Sequence, residues 1–254
     1  MTSTVNTPAQ RLAVDIWLDV ACPFCIVGER RFDKVLETLP FKEDVDVRFH
    51  SFQLDPTLPE RATQTHEEYL KARGFDPERL KESGEHLRRM GEELDIHFDQ
   101  AASVPSNTFT AHRLIQAAGQ HGVQGPVLDA LFSAYFEKGV DVGDHAALKE
   151  VVTAAGLSAE VADAVLADPA AFRDEVEEDI AQAARLGIQG VPFYVLDNKY
   201  GVSGAQPEEV FSQALTQVYG ELNPAPVLSP LGGAAGAAAV GQDGEVCGPD
   251  GCPA

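Results

Sequence analysis

The stretch "WLDVACPFCIVGERRF", Trp17 to Phe32, restricts the fold more than any other part of this chain. Cys22 and Cys25 flank Pro23 and Phe24, directly between an apolar run and a helical pattern. The run before them, Leu12–Val20, mixes apolar and β-branched residues and reads as a buried strand. After them Phe24, Val27, Phe32, Val35, Leu36 and Leu39 recur at helical spacing. Pro23 falls in the first turn, where its missing N–H costs nothing. Val45–Leu54 then alternates as a second strand, ended by Asp55–Pro56. The opening is thus β–α–β, with both thiols at the strand-to-helix junction.

From about Thr65 to Leu186 the pattern is helical. Thr65 with Glu68 three residues on has the form of a capping box. Asp76 followed by Pro77 is a cap with proline at the first helical position. Further helical stretches follow, each punctuated by Gly, Pro, Asp or Ser. Then Phe193–Leu196 and Tyr200–Ser203, separated by Asp197–Asn198–Lys199, read as a hairpin. "QPEEVFSQALTQVYG" is a last amphipathic helix. Beyond Leu222 the sequence is rich in Pro, Gly and Ala and reads as a flexible linker. It ends in "VCGPDGCPA", where Cys247 and Cys252 bracket a strong turn signal.

Composition bounds the partners. In 254 residues, 40 acidic side chains outnumber 19 basic ones, for a net charge of −21. A phosphate backbone wants clustered Lys and Arg, so nucleic acid is not expected as a partner. No apolar run approaches the roughly 18 residues that span a bilayer, so no membrane is expected either. The first residues carry no early basic region, and Asp15 and Asp19 interrupt the first apolar run, unlike a signal peptide. A cytoplasmic location follows as the expectation. Disulfides there are usually transient and catalytic or redox-sensing.

Two thiols at this spacing exchange electrons, hold a metal, or simply pack. C-x-x-C beside a βαβ pattern favours exchange. Cys22 falls at a helix N-terminus, where unpaired N–H groups and the helix dipole favour a thiolate. Cys25, one turn later and less exposed, is placed to attack a mixed disulfide at Cys22. Zinc wants about four ligands in close pairs, and C-x4-C at the end of a linker is a poor second pair for Cys22 and Cys25. Val191–Pro192 precedes the hairpin; it reads either as a strand-start proline or as a cis-proline facing the thiols, with Val191 offering its backbone to an added peptide strand.

The seven histidines, His50, His66, His86, His97, His112, His121 and His145, show no metal-ligand spacing and read as surface or satisfied core residues. His112 is the one candidate to face the thiols across the helical segment. Asp19, three residues before Cys22, reads as a solvated strand-end carboxylate rather than a proton-transfer group. Trp17 reads as core; Pro23 and Phe24 read as part of a peptide-binding surface. No metal site and no phosphate-binding loop are expected.

Taken together, "DVACPFC", "FHSFQLDP", "SNTFTAHRL" and "GVPFYVLDNKYGVSGAQ" resemble the DsbA family of thiol-disulfide oxidoreductases, most of all its FrnE-like branch. The likeness runs from about Leu12 to Gly220. It implies an α/β thioredoxin fold carrying an inserted α-helical domain, with a flexible C-terminal tail. The segments would be 11–62 (β-α-β), 63–187 (helical insertion), 188–222 (β-β-α) and 223–254 (tail). It implies disulfide exchange on protein substrates, with Cys22 and Cys25 as the redox pair and Pro192 as the cis-proline. Recycling would use a thiol reductant or oxidant, with glutathione one candidate, and no dissociable cofactor. Some FrnE-like members carry a second C-terminal pair, so Cys247 and Cys252 are expected to exchange with Cys22–Cys25. A related branch, kappa-class glutathione transferases and 2-hydroxychromene-2-carboxylate isomerases, typically has Ser in place of Cys22. A redox sensor without turnover is the remaining alternative. Oligomeric state is not legible.

Overall fold

The computed structural model describes residues 9–99 and 103–225. The sheet has four strands in the order β2-β1-β3-β4. β1 (Leu12–Leu18) pairs parallel with β2 (Val45–Ser51) and antiparallel with β3 (Phe193–Leu196), which pairs antiparallel with β4 (Tyr200–Ser203). The central strand β1 is the most buried, with Leu12, Val14, Ile16, Trp17 and Leu18 all at 1% exposure or less, because both edges are paired and helices cover both faces. α1 (Pro23–Thr38) joins β1 to β2, and α9 (Glu208–Leu222) follows β4. α1 and α9 pack beside each other through Phe32 and Phe211, whose rings meet edge to face at 5.8 Å. This β-α-β…β-β-α arrangement is the thioredoxin fold.

Among the described residues seven helices lie between β2 and β3: α2 (His66–Ala72), α3 (Pro77–Glu92), α4 (Phe109–Gln120), α5 (Gln124–Glu137), α6 (His145–Ala154), α7 (Ala159–Ala167) and α8 (Arg173–Arg185). Their ends follow local chemistry. Thr65 and Glu68 form the reciprocal capping box at α2. Asp76 accepts from Glu78 and Arg79 N–H at α3, Asp144 caps α6, and Ser158 caps α7. The β3–β4 hairpin closes through Asp197 and Asn198, both at positive φ (50° and 52°), with Lys199 N–H donating 3.0 Å to Leu196 C=O. That is a type I′ turn, and Asp and Asn are the non-glycine residues that best tolerate it.

Three sequence readings shift. β1 ends at Leu18 rather than Val20. β2 ends at Ser51 rather than Leu54, because β1, its partner, ends at Leu18; only Phe52 N–H still donates to Leu18 C=O (2.9 Å). Phe24, counted with the apolar face of α1, is 39% exposed instead, while Val27, Phe32 and Val35 enter the core.

A clamp holds β1 and β2 to α8. His50 lies with Nδ1 2.7 Å from Asp179 and Nε2 2.8 Å from Asp15, and its ring stacks on Trp17 at 4.4 Å. Asp179 also accepts from Ser51 N–H (2.7 Å), and its carbonyl accepts from Trp17 Nε1 (3.0 Å). Trp17 is core, as its sequence context suggests, with 1% exposure.

Candidate functional site

β1 delivers the chain to Asp19, and a tight turn leads into α1. Cys22 N–H donates to Asp19 C=O at 3.0 Å, and Cys25 N–H donates to Cys22 C=O at 2.9 Å. Cys22 thereby takes the N-cap position of α1, with Pro23 just inside and no side-chain cap competing for the first-turn N–H groups. Both cysteines are free thiols. Cys25 is 1% exposed; burial pushes its thiol well up, the neighbouring Cys22 adds to this, and the Asp19 backbone N–H works against it.

The second side of the site is the turn before β3. The Val191–Pro192 peptide is cis. Cys22 Sγ lies 3.4 Å from Val191 C=O, in thiol hydrogen-bond range. Gly204 N–H donates to Pro192 C=O (2.8 Å), so the hairpin holds this turn in place. Beneath it, Gly28 of α1 leaves the space needed: a Cβ there would stand 2.9 Å from Pro192 Cγ and 2.5 Å from the Tyr194 hydroxyl.

Asp19 is not a solvated carboxylate. It is 1% exposed, accepts from Leu54 N–H at 2.7 Å, and pairs with His112 Nε2 at 3.2 Å. His112 arrives from α4 and is fully buried, with Nδ1 unpartnered. The helical segment therefore seals the back of the site. On the open side, a cavity of about 450 Å³ borders Cys22, Phe24, Leu54, Tyr69, Phe75 and Val191. Phe24, Leu54 and Phe75 are 39%, 50% and 54% exposed, an apolar rim beside the outer thiol.

Of the residues singled out in the sequence, Cys22, Pro23, Phe24, Cys25, Val191 and Pro192 come together here. Cys247 and Cys252 lie outside the described residues. Among the described residues no group of three or more His, Cys, Asp or Glu is arranged to hold a metal ion. Sequence reasoning missed Glu29 and Tyr194, buried beside the inner thiol. Their only sequence signal was an acidic residue four places after Cys25 and a tyrosine two places after Pro192.

Comparison with known proteins agrees with this geometry. Residues 13–216 match the model of the DSBA-like thioredoxin domain, and the chain belongs to that family of thiol oxidoreductases. It is similar to a solved structure of a probable DsbA oxidoreductase from Streptomyces coelicolor, at 40% identity over 94% of this chain and 100% of that one, with a TM-score of 0.79. At fold level it is also similar to the cytosolic disulfide reductase DsbM from Pseudomonas aeruginosa with GSH (18% identity, 81% and 98% coverage, TM-score 0.57). A 2-hydroxychromene-2-carboxylate isomerase shares the fold too (16% identity, 82% and 97% coverage, TM-score 0.60). A search of curated proteins gave no match. Among the described residues no helix is long and apolar enough to cross a membrane.

Proposed function

We propose that this chain is a cytoplasmic protein thiol-disulfide oxidoreductase and isomerase of the FrnE-like branch, working through Cys22 and Cys25. The observation that carries the reading is Cys22 at the N-cap of α1 with its sulfur 3.4 Å from Val191 C=O at the cis-proline turn. A helix N-terminus favours the thiolate form that attacks a disulfide. An extended substrate pairs its backbone with Val191, while Pro23, Phe24 and the apolar rim contact its side chains. Cys22 attacks, a mixed disulfide forms, and Cys25 displaces the substrate sulfur. The redox centre is made of cysteines, so the chemistry needs no dissociable cofactor. A thiol reductant such as glutathione, or an oxidant, recycles the pair. The cytosolic, glutathione-containing neighbour supports both the location and the reductant.

The tail pair extends this reading. In this reading Cys247 and Cys252, which lie outside the described residues, exchange disulfide with Cys22–Cys25. A Cys25→Ser protein under mild oxidation then forms a Cys22–Cys247 or Cys22–Cys252 crosslink; none forms if the tail is a bystander.

The test of the main reading is turnover on a disulfide-linked protein and on a scrambled one, side by side. Cys22→Ser abolishes both, and the faster assay gives the direction. A second reading rests on the cavity beside Cys22, large enough for a small aromatic molecule: glutathione-dependent isomerase or transferase activity. Glutathione binding with small-molecule turnover, and no exchange on proteins, would replace the first reading with this one.

A further inference from the structure

The outer thiol, Cys22, is only 3% exposed, yet it has to reach a disulfide carried by another molecule. For a large substrate, a wall of its cavity has to give way. The α2–α3 segment forms part of that wall, through His66, Tyr69, Leu70, Phe75, Leu80 and Leu87. The segment is fixed at both ends. Before α2, Asn107 Nδ2 donates to Pro56 C=O (3.2 Å) and Leu58 C=O (3.0 Å), and Asn107 N–H donates to Pro59 C=O (2.9 Å). At the far end Leu87 is buried, and a Cβ at Gly91 would stand 2.9 Å from the Phe98 ring, which meets Phe136 of α5 edge to face at 5.6 Å.

Between these ends the hold is slight. Among the described residues, no apolar side chain from Leu54 to His86 belongs to the hydrophobic core, and α2 buries none of its seven residues. A helix that short does not hold itself together in water. Its ties to the fold converge on one carboxylate. The Tyr69 hydroxyl donates to Asp55 Oδ2 (2.9 Å), and Arg73 Nη2 pairs with the same oxygen. Arg73 Nη2 also lies 3.3 Å from Thr57 Oγ1, and the guanidinium sits over the Tyr69 ring at 5.4 Å. Asp55 belongs to the fixed side. It accepts from the Thr57 N–H (3.1 Å) and hydroxyl (2.6 Å), and its neighbour Leu54 donates its N–H to Asp19 (2.7 Å).

We propose that the α2–α3 segment is a strap beside Cys22, latched to Asp55 by Tyr69 and Arg73, and that the latched strap favours small disulfides over protein disulfides. This rests on the exchange reading above and sets which disulfides that site accepts. With the strap latched, the cavity of about 450 Å³ admits one half of a small peptide disulfide such as oxidised glutathione. A protein disulfide carries backbone on both sides of each sulfur, and it reaches Cys22 only when Tyr69, Leu70 and Phe75 swing outward. The latch is built to part: the Arg73 side chain is 46% exposed, so it exchanges the carboxylate for water at little cost. Gly74, at a φ of 78°, ends α2 and separates it from α3, with Phe75 N–H donating back to Leu70 C=O at 3.1 Å. Weakly held segments of this kind are the ones that open first. The opened strap offers Leu70, Phe75 and Leu80 as apolar surface for an extended polypeptide to cover. Asp55 thereby acts on specificity through the strap, without touching the sulfurs.

The test compares full-length wild type, Asp55→Asn, Arg73→Gln and Cys22→Ser, each fully reduced, in single turnovers with oxidised glutathione and with insulin, quenched with acid and resolved by mass. Each turnover converts the protein dithiol to a disulfide and the substrate disulfide to two thiols. Freeing the latch should raise the insulin rate roughly threefold or more relative to the glutathione rate. It should also speed amide hydrogen exchange in α2 by roughly tenfold, while β1 amides keep the wild-type rate. An insulin-to-glutathione ratio that stays the same or falls in both variants overturns the strap as a selector. Unchanged exchange in α2, or a speeding that extends equally to β1, overturns the latch. No reaction in wild type, or reaction that survives in Cys22→Ser, overturns the exchange reading, and the exchange of α2 against β1 then decides the latch by itself.

Discussion

Cys22 Sγ stands 3.4 Å from the carbonyl oxygen of Val191, so the outer thiol and the cis-proline turn form a single unit. A substrate strand hydrogen-bonded along Val191 would bring its disulfide over the N-terminus of α1, where negative charge on sulfur is favoured. The two sides meet only because α1 lets the cis-proline turn come close at Gly28.

That contact gives a first prediction. Gly28→Ala places a methyl 2.9 Å from Pro192 Cγ and 2.5 Å from the Tyr194 hydroxyl, and the next atom, Ala205 Cα, is backbone at 3.4 Å. Pro192 is held by the hairpin and cannot yield freely. Overpacking of this kind costs about 1–3 kcal/mol. A lower urea midpoint and slower turnover, with Cys22 still alkylated at the normal rate, are expected. An unchanged midpoint would mean that the turn is not packed as described.

A second prediction concerns the seal behind the thiols. Asp19 and His112 are almost fully buried and 3.2 Å apart, and Asp19 also satisfies Leu54 N–H. Asp19→Ala removes one partner and strands both an imidazole and a backbone donor, which costs about 3 kcal/mol. Asp19→Asn keeps an acceptor for Leu54 N–H and should lose less. Urea unfolding of the two variants checks the order; equal losses would show that the Leu54 bond contributes nothing.

How much of this was legible beforehand depended on range along the chain. The hairpin, the capping box at Thr65 and the Asp76 cap were read correctly because each is decided within about four residues. The place of CPFC at the start of α1 and the cis bond before Pro192 were legible for a related reason: CPFC and GVPF are short, and each stands at the end of a readable element. Asp19 was misread because its burial depends on α4, more than ninety positions away, which brings His112 over it. Glu29 looked like an ordinary polar residue on a helix, and only the packing of α1 against α5 and β3 takes it out of water. His50 bonds to residues 35 and 129 positions away, which no local pattern encodes.

His50 supplies a third prediction. Burial opposes its charge, but the hydrogen bonds that the ring donates to the carboxylates of Asp15 and Asp179 win and hold it up at about 9. Its ordinary value is 6.5, so the folded state binds the proton more tightly than the unfolded one. The resulting stability is complete below about 6.5 and is lost as pH rises toward 9, to a total on the order of 3 kcal/mol. Urea midpoints should fall between pH 6.5 and 9.5 in wild type. His50→Gln should start lower and lack this part of the decline; a parallel decline in both proteins would exclude His50 as its source.

Glu29 shifts stability with pH in the same direction as His50, but as a cost to the folded chain rather than a gain. Burial and Asp33 raise its carboxyl to about 9 from 4.5, so folding withholds an ionisation that the unfolded chain would complete. Stability is unaffected below about 4.5 and is progressively lost as pH climbs toward 9. Glu29→Gln has nearly the shape of the protonated carboxyl and cannot ionise, so it escapes that loss. It should be more stable than wild type at pH 8 by on the order of 5 kcal/mol, with the difference closing as pH falls toward 4.5. If Glu29→Gln is less stable at pH 8, the carboxyl is a structural group, held in place by Asp33.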